Sequence, residues 1–269
     1  YTFAFSYTND KEAKQTFKHT FKNERVTAKI SLQKQDKETK KAVPQGDATL
    51  EKAVYGLYAR EDIVHPDGVT GVIYKAGEQV ATLTTDKNGQ ASVDGLYLGD
   101  YYVKEISPSV GYLADETEHD LVCNYEGDLV AEVKRDCTSL EQVMKQPFQI
   151  IKAANNGKTD ADLLKGAGFT AYLESSLTKK ADGNYEFASA TPVVIGENGA
   201  TEMFTDEKGY ACSIALPYGT YIVRETTTPH NYTPVADFTV RITENNPNQP
   251  QTWRVLLDDE FEAKLKIIK

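Results

Sequence analysis

Four charged side chains stand where strand periodicity puts apolar ones. In Ile30–Lys34, Lys34 shares a face with Ile30 and Leu32, and in Phe148–Lys152, Lys152 shares one with Phe148 and Ile150. Leu98–Glu105 and Tyr218–Glu225 alternate in the same way, grouping Glu105 with Tyr101 and Val103, and Glu225 with Tyr221 and Val223. A lone buried carboxylate is costly. Burial also lowers the pKa of an amine and raises that of a carboxyl, so the two can meet as neutral groups. A neutral amine is nucleophilic, and a protonated carboxyl can polarise a carbonyl and relay protons. One lysine and one glutamate are aimed inward in each half of the chain.

The elements that must carry these residues recur at an offset of 120. Thr82–Tyr112 aligns without a gap on Glu202–Tyr232, matching Thr85 with Thr205, Asp86 with Asp206, Gly89 with Gly209, Tyr101 with Tyr221, Val103 with Val223, Glu105 with Glu225 and Tyr112 with Tyr232. That period is too long for a solenoid unit and suits a whole domain. Asp86–Gly89 and Asp206–Gly209 read as hairpin turns in which glycine supplies a positive φ; they offer too few oxygens for a calcium loop. Upstream, Ala53–Tyr58 matches Ala167–Tyr172 as a further strand. The expectation is an all-β chain holding two copies of one domain.

Composition narrows the function. The 269 residues fit one or two domains. The 30 Lys and Arg against 40 Asp and Glu give a net charge of −10, which disfavours nucleic acid and anionic membrane as partners. No apolar run reaches the length of a membrane span. The four histidines are never four apart, and no G-x-S-x-G, P-loop or G-x-G-x-x-G occurs, so the common carriers of enzymatic turnover are missing. Three cysteines, Cys123, Cys137 and Cys212, are too few for a disulfide scaffold and are expected as free thiols.

A first strand ending in Lys, an A-x-[FY]-x-x-Y strand, a T-D-x-x-G turn and G-x-Y-x-V-x-E followed by Pro and Tyr resemble the SpaA/Cna-B-type domains of Gram-positive pilins and cell-wall adhesins. The resemblance covers roughly residues 24–262 and implies tandem prealbumin-like, Ig-like Greek-key β-sandwiches. It also implies a spontaneous isopeptide bond between the lysine and an Asn or Asp on the last strand, promoted by the buried Glu in a single turnover. No cofactor or metal is implied. In the second copy this assigns Lys152 and Glu225, with Asp259 as acceptor because it shares a face with Trp253, Val255 and Leu257. Asp258 is the alternative, because it lies eleven residues before Lys269, as Asn23 lies eleven before Lys34. In the first copy the assignment is Lys34, Glu105 and Asp136, although alternation puts Arg135 on the apolar face and Glu141 is the residue eleven before Lys152.

The ends suggest a window cut out of phase. Thr2–Lys34 resembles Phe238–Lys269, so residues 1–23 are expected to be the last strands of a preceding domain with Asn23 its acceptor. Residues 24–140 and 141–262 are then two complete domains, and 263–269 begin a following one with Lys269 its nucleophile. An extra hairpin on the first domain is the other reading of 1–23. The expected function is structural: a stalk or shaft repeat of a Gram-positive adhesin or pilus-like protein, extracellular and cell-wall attached, with neighbouring domains as its partners and no enzymatic turnover. The alternative is a module that binds host glycan or protein through loops, foremost Ala59–Thr70 and then Gly183–Pro192.

Overall fold

A computed structural model describes residues 18–20, 24–158, 162–252, 254–261 and 266. The first repeat contains β1 (Thr27–Asp36), β2 (Val54–Ala59), β3 (Ile63–Val64), β4 (Val72–Tyr74), β5 (Gln79–Thr84), β6 (Gln90–Leu96), β7 (Gly99–Ser107), β8 (His119–Cys123) and β9 (Glu132–Glu141). The second contains β10 (Lys145–Gln146), β11 (Gln149–Asn155), β12 (Gly168–Leu173), β13 (Thr178–Lys179), β14 (Tyr185–Glu186), β15 (Glu202–Phe204), β16 (Tyr210–Cys212), β17 (Leu216–Pro217), β18 (Gly219–Thr227), β19 (Phe238–Ile242) and β20 (Arg254–Asp259). Each repeat is a sandwich. A four-stranded sheet, β5-β2-β7-β8 or β15-β12-β18-β19, faces a three-stranded one, β6-β1-β9 or β16-β11-β20. The first core holds Ile30, Leu32, Tyr55, Leu57, Tyr101, Val103 and Val133; the second holds Phe148, Ile150, Phe169, Tyr221, Val223 and Val240.

The lysine strand is central in its sheet and pairs in parallel with the last strand of its domain, β1 with β9 and β11 with β20. Burial along β1 alternates strictly, so Ile30, Leu32 and Lys34 all enter the core. The repeated T-D-x-x-G residues pin this strand. Thr85 Oγ1 accepts from Ala53 N and donates to Leu50 O; Thr205 does the same with Ala167 and Leu164. Asp86 and Asp206 accept backbone N–H bonds from their own turns. Gly89 and Gly209 then offer their carbonyls to Lys34 N at 2.8 Å and Lys152 N at 2.7 Å. Both glycines have positive φ, and a Cβ on either would lie within 2.8 Å or 2.3 Å of the lysine carbonyl oxygen. The turn therefore needs glycine for close approach as well as for its dihedral.

The repeats are joined without slack. Glu38 binds Lys145 and accepts from Gln142 Nε2, while Met144 bridges Gly111 O and Tyr218 N. Asp47 accepts from Thr220 N at 2.9 Å and Ser175 Oγ at 2.5 Å, and donates its own N–H to Tyr218 O. Tyr218 of the second repeat packs on Ala48, Leu50, Tyr112 and Val143. The strand carrying Glu141 runs one residue past the expected end of the first domain at 140. Cys123, Cys137 and Cys212 are free thiols.

Candidate functional site

In the second sandwich, Lys152 projects from β11 and Glu225 from β18 on the opposite sheet. The two meet at 2.8 Å between Nζ and Oε2, with both side chains fully buried. Asp258 on β20 supplies the third group, its Oδ1 in direct contact with Lys152 Nζ. Glu225 Oε2 also accepts from Val235 N at 3.0 Å, which holds the carboxyl in place from the backbone. Phe169 closes one wall, its ring 5.7 Å from Nζ. Burial pushes the Asp258 carboxyl up to about 6; the Lys152 ammonium opposes that shift and Glu225 adds to it. Glu225 Oε1 and Asp258 Oδ2 are buried without a donor, a deficit that protonation of a carboxyl relieves.

The first sandwich builds the same set from equivalent strands. Lys34 on β1 lies 3.5 Å from Glu105 Oε1 on β7, with side-chain exposures of 0% and 2%. Glu105 Oε2 accepts from Asp115 N at 2.9 Å, the counterpart of the bond from Val235. Burial pulls Lys34 down to about 8 against the pull of Glu105 and Asp115, and raises the Glu105 carboxyl. The acid in contact with Lys34 Nζ is Glu141 on β9. Its Oε1 accepts from Tyr55 OH and from Ser139 Oγ at 3.2 Å.

Lys34, Glu105, Lys152 and Glu225 thus sit where alternation aimed them, but two expected acceptors do not. Asp259 is exposed and bonds Asn155 Nδ2 at 2.7 Å. The face on which it was grouped is the outer one: Val255 and Leu257 are 62% and 49% exposed, and Arg254, Leu256 and Asp258 turn inward. The parallel register sets this phase, placing Leu256 opposite Lys152 and Asp258 opposite Ala154. Asp136 is likewise exposed and sits opposite Ser31, three positions before Lys34. Glu141 is opposite Asp36, two positions beyond its lysine, as Asp258 is in the second repeat. The eleven-residue count to the next lysine marks both Asp258 and Glu141, and the alternation of Val133, Cys137 and Ser139 continues to Glu141. Tyr55 and Ser139 gave no warning in the sequence. Asn23 and Lys269 lie outside the described residues.

Ala59–Thr70 borders a mostly apolar recess lined by Val26, Val64, Pro66, Tyr97, Leu98 and Tyr125, with Arg25 at its edge. Tyr97 and Leu98 are equivalent to Pro217 and Tyr218, which in the second repeat lie against Gly46 and Asp47 of the preceding sandwich. Among the described residues, no helix is long and apolar enough to cross a membrane.

Comparison with known proteins agrees with this architecture. A profile for the prealbumin-like fold domain SpaA matches residues 28–136 and 147–254. The TIE protein of Bacillus anthracis is similar at 22% identity and a TM-score of 0.54, over 87% of this chain and 34% of that one. A streptococcal ancillary pilin shares 24% identity at a TM-score of 0.33, over 89% and 64% of the two chains. GBS52, the minor pilin of Streptococcus agalactiae, shares 16% at a TM-score of 0.39, over 90% and 100%. The chain therefore spans about a third of the Bacillus protein and under two thirds of the ancillary pilin. No curated protein matches it. With both sandwiches matched, the chain belongs to the family of SpaA prealbumin-like fold domains and carries that domain twice.

Proposed function

We propose that this chain is a load-bearing shaft segment of a Gram-positive surface appendage or cell-wall adhesin, locked internally by an amide between Lys152 and Asp258. The observation that carries the reading is the dry triad of Lys152, Asp258 and Glu225, in which an amine touches a carboxyl whose pKa is raised. Nζ attacks Cγ of Asp258, an N–C bond forms, and one C–O bond of the carboxyl breaks. The two protons lost from the ammonium leave with that oxygen as water, and Glu225 relays them. Holding the reactants in contact replaces a bimolecular encounter and removes its entropic cost from the barrier to amide formation. The reaction runs once per domain, so the chain is not an enzyme.

The strand order supports a mechanical role. Tension along a tandem chain enters a domain at its first strand and leaves at its last. Within the two sheets of the second sandwich these are β11 and β20, parallel neighbours. An amide from Lys152 to Asp258 takes everything from Ala153 to Leu257 out of the load path. The stiff junction, clamped by Asp47 and Tyr218, suits a rod. The recess beside Ala59–Thr70 supports the same reading over the loop-binding one, because Pro217 and Tyr218, the equivalents of its Tyr97 and Leu98, pack against the preceding domain. Intact mass of the denatured chain tests the crosslink. The expected result is a Lys152–Asp258 linked peptide and a mass deficit of one water for that bond, absent in Asp258→Ala. A second domain that yields only unlinked peptides would overturn the proposal.

A further inference from the structure

The first sandwich departs from the second at three equivalent positions, and the three differences fit one another. Where the second has Asp258, Leu256 and Phe169, the first has Glu141, Ser139 and Tyr55. The register makes these equivalences: Ser139 and Leu256 lie opposite their lysines, while Tyr55 and Phe169 lie opposite Glu105 and Glu225. The acceptor is longer by one methylene on an unchanged strand register, and both apolar neighbours have become hydroxyl donors. Those hydroxyls converge on one oxygen, Oε1 of Glu141, while the other, Oε2, touches Lys34 Nζ. Lys34, Glu141, Tyr55 and Ser139 are all buried, and Glu105 is held by Asp115 N as its counterpart is held by Val235 N.

We propose that the first domain closes its own amide through a glutamate acceptor, Lys34 to Glu141, with the Tyr55 hydroxyl as the oxyanion donor that this longer acceptor requires. This rests on the reading of the second domain as an amide-forming site, but uses an acceptor outside the Asn or Asp of the family resemblance. Nζ bonds to Cδ of Glu141. Oε1, held by Tyr55 and Ser139, takes up the negative charge of the tetrahedral intermediate and becomes the amide oxygen. Oε2 touches Lys34, receives the two protons that the ammonium gives up, and departs as water. Preorganised donors aimed at developing charge in a dry site are worth far more than in solvent. The second domain, with Phe169 and Leu256 in these places, does without them.

The decisive measurement is peptide mapping and intact mass of the denatured full chain. The expected wild type is lighter by two waters, with separate Lys34–Glu141 and Lys152–Asp258 linked peptides. Glu141→Ala should lose the first link and keep the second. Glu141→Gln should still close, expelling ammonia in place of water, so its final mass should equal that of the closed wild type. Tyr55→Phe restores the residue the other domain uses, so it should pack, and it should slow closure of the first link about a hundredfold, followed by mass in freshly synthesised chain, leaving the second link at its wild-type rate. A linked Lys152–Asp258 peptide beside an unlinked Lys34 and Glu141 would overturn this inference and leave the general reading intact. Loss of both links in the wild type would overturn the two together. An unchanged closure rate in Tyr55→Phe would remove Tyr55 from the chemistry.

Discussion

Glu225→Gln isolates what the proposed second-domain amide would contribute. The substitution keeps the shape of the side chain and the oxygen that accepts from Val235 N, but removes the carboxyl proposed as proton relay beside Lys152. The chain should fold and stay open at Lys152 and Asp258. Closing a loop of about 100 residues restricts the unfolded ensemble by about 4.7 kcal/mol at 25 °C. An unfolding entropy of about 2 cal/mol/K per residue over roughly 110 residues converts that difference into a Tm lowered by about 20 °C. Calorimetry of wild type and variant, each checked by mass for its crosslinks, reads the shift directly. Should a closed wild type and an open variant melt within about 3 °C of each other, the amide would not stabilise by loop closure, and the mechanical argument would lose its thermodynamic footing.

Three further outcomes follow from the same geometry. Asp258→Ala should abolish the second link while Asp259→Ala leaves it intact, read by linked-peptide mass, because only Asp258 reaches Lys152. In Glu141→Ala the open Lys34 keeps a burial-depressed pKa of about 8 against the ordinary 10.5. The unfolded state then binds more protons than the folded one between those values, so the variant's stability in denaturant titrations should rise from about pH 8 to 10.5, and that of the closed wild type should not. Gly46→Ala should loosen the junction, since its φ is +60° and a Cβ would lie 2.2 Å from Tyr218 O; both amides should persist by mass while small-angle scattering reports a broader spread of interdomain angles.

Much of this architecture is legible in the sequence. The repeat set the domain count, and strand alternation located Lys34, Lys152, Glu105 and Glu225 because each shares its face with residues that must be buried. The acids that touch the two lysines are harder to read, for a physical reason. Val255 and Leu257 are apolar yet outward-facing, so apolarity pointed to the wrong side of β20. Counting back from the next lysine succeeds where alternation fails, because the segment between Glu141 and Lys152 is itself built into the junction through Met144, Lys145 and Gln146. Its length is therefore structural rather than a free linker. Tyr55 was not legible, since a tyrosine in a core strand is ordinary until the oxygen that it faces is known.

The parallel pairing of first and last strands also has a consequence in time. A chain made from its N-terminus presents Lys152 more than a hundred residues before Asp258, and Lys34 equally early relative to Glu141. Neither amine can find its acid until β20 or β9 has been delivered and laid alongside its partner in register. An amide at either site would therefore be written last, as a permanent record of completed folding. Until then the polypeptide remains an ordinary, fully threadable chain, and no misordered intermediate is trapped by a bond that cannot be undone.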